Sequence, residues 1–89
     1  MAIGVIFDGQ FTQAQYEQVL NEVSSGNAPP PGMQYHAAGA TENGWCVIEV
    51  WESREAADRF FNERLGQATQ KAKINVQPKF FNVHNTMQR

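Results

Sequence analysis

The stretch GMQYHAAGATENGWCVIEVWE, residues 32–52, decides the fold. Val47, Ile48 and Val50 make its second half a strand, Glu42-Asn43-Gly44 supplies turn chemistry, and the two halves read as a hairpin. With Thr41 to Gly44 as the loop, Ala40 meets Trp45, Ala38 meets Val47, His36 meets Glu49 and Gln34 meets Trp51. A two-residue Asn43-Gly44 turn shifts the partners but keeps these side chains on one face, because a strand repeats every two residues. The opposite face reads Tyr35, Ala37 and Gly39 against Cys46, Ile48 and Val50. That second face is expected to be ordinary core. The first combines tryptophans with an acid and a base, which is the chemistry of a pocket or an interface.

Outward from the hairpin, the chain alternates strands and helices with clear punctuation. Ala2 to Phe7 is a short apolar strand closed by Asp8-Gly9. Thr12 opens a helix with a capping box, since Gln15 lies three residues on, and Phe11 can staple onto Tyr16. Tyr16, Val19, Leu20 and Val23 fall on one helical stripe, which Ser24-Ser25-Gly26 ends. Asn27 to Gly32, with three consecutive prolines, reads as a stiff extended connector. Ser53 caps a second helix with Glu55 at its positive end, and Ala56, Ala57, Phe60, Phe61, Leu65, Ala68 and Ala72 trace its apolar stripe. Gly66 weakens or kinks the middle of that helix. Lys79 to His84 is a last strand, introduced by Pro78.

The order strand, helix, strand, strand, helix, strand is the split βαβ plan of a ferredoxin-like α+β sandwich. Right-handed crossovers place both helices on one face of a four-stranded antiparallel sheet and leave the other face bare. By parity the bare face is expected to carry Gln34, His36, Trp45, Val47, Glu49 and Trp51, joined by Phe80, Asn82 and His84 from the last strand. Phe81 and Val83 would turn inward. Buried aromatics account for ~150 to 250 Å² each, so Trp45, Trp51 and Phe80 together exceed what a monomer usually exposes. The simplest cover is a second copy of the chain, giving a homodimer.

Composition narrows the setting. With 89 residues the chain is read as one domain, 1–89, small enough to bury only ~60% of its unfolded surface, so association would help it. A net charge of −2 with seven Lys and Arg spread along the chain offers no basic stripe, and neither nucleic acid nor a membrane surface is expected as partner. The single Cys46 forms no internal disulfide and fits a reducing compartment. No apolar run approaches the ~20 residues that span a bilayer, and Ala2 to Phe7 lacks the basic flank of a signal peptide. A cytoplasmic protein is predicted.

These features resemble the antibiotic biosynthesis monooxygenase domain of the dimeric α/β-barrel superfamily. The resemblance rests on His36-Ala37-Ala38-Gly39, on Gly44-Trp45 leading through apolar residues into Val50-Trp51-Glu52-Ser53, on Phe60-Phe61, and on Val83-His84-Asn85. It implies a dimeric α/β barrel whose two sheets pack face to face, with a ligand cavity between sheet and helices or along the barrel interior. Members oxidise polycyclic phenols with molecular oxygen and no cofactor, degrade haem, or isomerise lactones, and many have no assigned activity. Haem-degrading relatives generally ligate iron through a histidine on the second helix. Ser53 to Lys73 contains none, which argues against haem degradation.

Candidate residues follow from both readings. His36 and Glu49 are the catalytic candidates, His36 as a general base oriented by Glu49. Trp45, Trp51, Phe80 and His84 are the substrate-binding candidates. Each has a plainer reading: a cross-strand pair contributing ~0.2 to 1 kcal/mol, seam tryptophans, and an edge histidine. Tyr35 is expected to face the helices, where it could reach a cavity. His36, Glu49 and His84 could in principle surround iron, but no local ligand spacing supports a metal, and no cofactor is expected. The function read from the sequence is a cofactor-independent monooxygenase acting on a small aromatic or quinol-like substrate. The alternative is a non-catalytic homodimer that binds a small apolar ligand or serves only assembly.

Overall fold

The computed structural model describes residues 1–23 and 29–87. Its elements are β1 (Ile3–Gly9), α1 (Gln13–Val23), β2 (Met33–Ala40), β3 (Trp45–Trp51), α2 (Arg54–Phe60), a π-helical turn (Phe61–Leu65), α3 (Gly66–Lys71) and β4 (Lys79–Asn82). The strands form one antiparallel sheet in the order β2-β3-β1-β4, the ferredoxin-like arrangement expected from the element order. The expected ends of α1 at Ser24-Ser25-Gly26 and of the connector at Asn27 lie outside the described residues. No helix among the described residues is long and apolar enough to cross a membrane.

Local chemistry explains the boundaries. Thr12 Oγ1 accepts from the Gln15 N–H at 3.1 Å while Gln15 Oε1 accepts from the Thr12 N–H at 2.9 Å, so the capping box closes on both sides. The same Gln15 side chain donates to the Ala72 carbonyl at 2.8 Å and ties the start of α1 to the end of α3. Ser53 caps α2 through the Ala56 N–H. At the other end, Lys73 takes a left-handed φ of 59°, with Ile74 N–H bonded to Thr69 O and Lys73 N–H to Gln70 O, a Schellman stop built without glycine. Gly66 marks more than a kink. It follows the π turn, and a side-chain carbon there would lie only 3.2 Å from the Phe61 carbonyl that its own N–H bonds.

The hairpin keeps the expected register from Tyr35 onward, with His36 opposite Glu49, Ala38 opposite Val47 and Ala40 opposite Trp45. A bulge between Met33 and Tyr35 puts Met33, not Gln34, across from Trp51. The proline segment is not extended throughout. Met33 N–H bonds Pro30 O around Pro31 and Gly32, whose φ of 90° gives a type II turn that launches β2. The first strand runs on to Gly9, and the last stops at Asn82, leaving His84 beyond it.

The expected side of the sheet is reversed. Trp51, Val47 and Glu49 face the helices and are buried, while Tyr35, Ile48 and Phe81 stand on the open face at 56%, 41% and 46% exposure. β1 explains the polarity. Ile3, Val5 and Phe7 form its fully apolar side and pair with Trp51, Glu49 and Val47, whereas its other side carries Gly4, Ile6 and Asp8. The apolar side must meet the helices, and antiparallel pairing carries the whole set with it. Phe80 lies opposite Val5 and therefore also faces inward, and Phe81 covers Gly4 on the open face.

The resulting core has two parts. Ile3, Val5, Trp51, Ala57 and Phe60 form one cluster, with Phe7, Phe61 and Phe80 against it; Val19, Ala68 and Ala72 form the other between α1 and α3. Phe60→Ala should cost ~3 to 5 kcal/mol by emptying the larger cluster, and Ser53→Ala about 1 kcal/mol by removing the cap. Denaturant melts of the two variants are expected to rank in that order.

Candidate functional site

Reversal of the sheet moves His36 and Glu49 from a supposed seam to the wall of a partly open cavity. The cavity has a volume of about 330 Å³ and lies between the sheet and the helices. Its lining is mostly apolar, including Phe7 and Val47 from the sheet and Val19, Phe60 and Leu65 from the helices. The volume falls at the small end of ligand pockets. Tyr16, His36, Glu49 and Thr69 are the polar side chains of this wall. Thr69 directs its hydroxyl at the carbonyls of Leu65 and Gly66.

The other three form a hydrogen-bonded chain. Tyr16 Oη lies 2.7 Å from His36 Nε2, and His36 Nδ1 lies 3.1 Å from Glu49 Oε2. Trp51 Nε1–H donates to Glu49 Oε1 at 3.0 Å. Glu49 is only 4% exposed. A buried carboxylate is costly unless its oxygens are satisfied, and here each oxygen has a partner on the same sheet face. The Tyr16 and His36 rings lie nearly parallel, at 22°, with centroids 6.0 Å apart.

Of the sequence candidates, His36 and Glu49 are brought together at the cavity. Trp51 is fully buried behind them, holding Glu49 and packing on Phe60 and Phe61. Trp45 sits against the Tyr16 ring at 5.6 Å, and its Nε1 is buried without a hydrogen-bond partner among the described residues. Phe80 packs on Phe61 under the Arg54 guanidinium. His84 is exposed. Trp45, Trp51, Phe80 and His84 are thus not on the cavity lining, and Tyr35, expected to face the helices, is on the open face. Among the described residues no group of three or more His, Cys, Asp or Glu is placed to hold a metal ion.

Sequence reasoning missed Tyr16 as a candidate for the site. It counted the residue as one member of an apolar stripe, although a phenol inside such a stripe needs a polar partner. Burial, then the Glu49 charge, then the Glu17 charge push the Tyr16 hydroxyl above its ordinary pKa of 10.0. The group is therefore a protonated phenol across the neutral range. Because its folded pKa is raised, the associated stability is complete below the unfolded value and is lost as pH rises from there through the folded value. Unfolding midpoints should fall with pH in that alkaline window, and Tyr16→Phe should remove this part of the fall.

The sequence matches no family model and no curated protein. The fold does have counterparts among solved structures. A Chloroflexus aurantiacus protein assigned as an antibiotic biosynthesis monooxygenase superposes with a TM-score of 0.69 at 14% identity, covering 99% of this chain and 98% of its own. SnoaB, a cofactor-independent oxygenase from Streptomyces nogalater, gives 0.66 at 17% identity, covering 99% and 96%. A Streptomyces coelicolor monooxygenase solved in complex with nanaomycin D gives 0.54 at 16% identity, covering 99% and 91%. Identities this low speak for architecture, and the chain has the antibiotic biosynthesis monooxygenase-like fold.

Proposed function

We propose that the protein is a single-domain, cofactor-independent monooxygenase acting on a small aromatic or quinol-like substrate. The observation that carries this reading is the Tyr16–His36–Glu49 chain on the wall of an otherwise apolar cavity. His36, directly or through Tyr16, takes the proton of a phenolic hydroxyl, and Glu49 stabilises the imidazolium that results. The electron-rich anion forms a carbon–oxygen bond to O₂. The ring C–H proton then leaves as the O–O bond breaks, giving a carbonyl and water. Substrate supplies all four electrons that O₂ accepts, so no external reductant is needed. Apolar walls exclude water from the anion. The fold shared with SnoaB, itself a cofactor-independent oxygenase, supports the assignment.

Oxygen uptake by the purified protein with a panel of phenols and quinols is the direct test. His36→Ala should lower the rate ~10² to 10⁴-fold, as loss of a general base does. Absence of uptake above buffer across the panel overturns the oxygenase reading in favour of a ligand-binding protein, and uptake unchanged in His36→Ala removes His36 from the mechanism.

The functional unit is proposed to be a homodimer closed through the open sheet face. Tyr35, Ile48 and Phe81 stand exposed on that face beside half-buried Val50 and Ile6. Such a patch on a small domain calls for cover, and a two-fold copy provides it. Light scattering should report a dimer at micromolar concentration and a monomer for Ile48→Glu. A monomeric wild-type protein rejects the assembly.

A further inference from the structure

With His36 neutral and Glu49 ionised, the hydrogens of the polar chain have one consistent arrangement. Glu49, as a carboxylate, has no proton to give, so Trp51 Nε1 and His36 Nδ1 both donate to it, at 3.0 and 3.1 Å. A neutral imidazole that donates through Nδ1 leaves Nε2 as an acceptor. The Tyr16 hydroxyl, 2.7 Å from Nε2, is therefore the donor in that contact. Its one hydrogen is committed to His36, and what remains is lone pairs. Both nitrogens of His36 are engaged, each Glu49 oxygen already has one donor, and the Thr69 hydroxyl hydrogen is committed to helix carbonyls, so no side chain of the cavity wall has a hydrogen left to donate.

From this we infer that Tyr16 is the specificity-determining residue of the cavity, and that the ligand it selects must bring a hydroxyl donor rather than a carbonyl acceptor. The inference rests on the oxygenase reading for its chemistry but not for its test. A ligand hydroxyl donates to Tyr16 Oη while Tyr16 donates to His36. Proton transfer then needs no movement of heavy atoms. The ligand O–H bond breaks as a Tyr16 O–H bond forms, and the original Tyr16 proton passes to His36 Nε2. Tyr16 now donates to the ligand oxyanion, and the imidazolium is held against Glu49. A carbonyl product, lacking a hydrogen to offer, meets only lone pairs once the chain has reset. The same polarity that admits substrate thus favours release of product.

Three ligands of similar shape separate these properties: 1-naphthol carries the donor, 1-tetralone an acceptor, and 1-fluoronaphthalene neither. Titration calorimetry under nitrogen, in mildly alkaline buffer, should rank 1-naphthol about fivefold or more above both others, the value of one neutral hydrogen bond. In Tyr16→Phe, which keeps the ring packing, all three affinities should fall within a factor of about three. Equal affinities in the wild type, or a naphthol preference that persists in Tyr16→Phe, overturns the inference. Circular dichroism confirms that the variant folds, and if it does not, the wild-type ranking decides alone. Because no oxygen is present, a naphthol preference without oxygen uptake sinks the oxygenase assignment and leaves the selectivity standing, whereas uptake without the preference does the reverse.

Discussion

Burial of the Glu49 carboxylate is the constraint on which the site depends. A charge that leaves water must recover its hydration from fixed partners, and Trp51 and His36 are the two donors that do so. One stands two residues along the same strand and the other directly across the hairpin. Strand periodicity and hairpin register are therefore also electrostatic requirements, because slipping the pairing by one residue would move His36 to the opposite face and leave a buried charge half satisfied. In the neutral imidazole, donation to Glu49 through Nδ1 selects the tautomer, and the tautomer sets which way the tyrosine hydroxyl points. A single buried charge thus propagates order from β3 through β2 to α1.

Much of this was legible from residue types and spacing. The turn chemistry of Glu42-Asn43-Gly44 set the hairpin register that brings His36 to Glu49, and both helix N-caps sit where Thr12 and Ser53 indicated. The strand order followed from the succession of elements. What failed was the choice of side. An acid and a base were read as marks of an exposed or seam-forming face, while Ile48 and Val50 looked like core. The better guide was β1, where Ile3, Val5 and Phe7 alternate with Gly4 and Asp8, since only one of those sides can be wholly apolar.

Other features lay beyond pattern. The bulge at Gln34 leaves no trace in hydrophobic alternation, and Gly66 marked a disturbance in the helix without revealing its π-helical form. Tyr16 and His36 belong to different elements, and nothing in a single sequence links a helical phenol to a strand imidazole. Their contact arises from the crossover that lays α1 on the sheet. A glycine tells a similar story. Any side chain on Gly44 would strike the Gly9 carbonyl, so the hairpin tip is shaped by the end of a strand far away in sequence as well as by its own turn.

The membership of the polar chain divides unevenly between the layers. Trp51, Glu49 and His36 all belong to the sheet, and Tyr16 is the member that belongs to a helix. The charge and its two hydrogen-bond donors therefore all lie on the sheet, with Trp51 held in place by Phe60 and Phe61 of the second helical segment. Small sliding of α1 over the sheet would stretch one neutral hydrogen bond and leave the ionic part intact. The carboxylate would then keep both of its sheet partners whatever the position of α1.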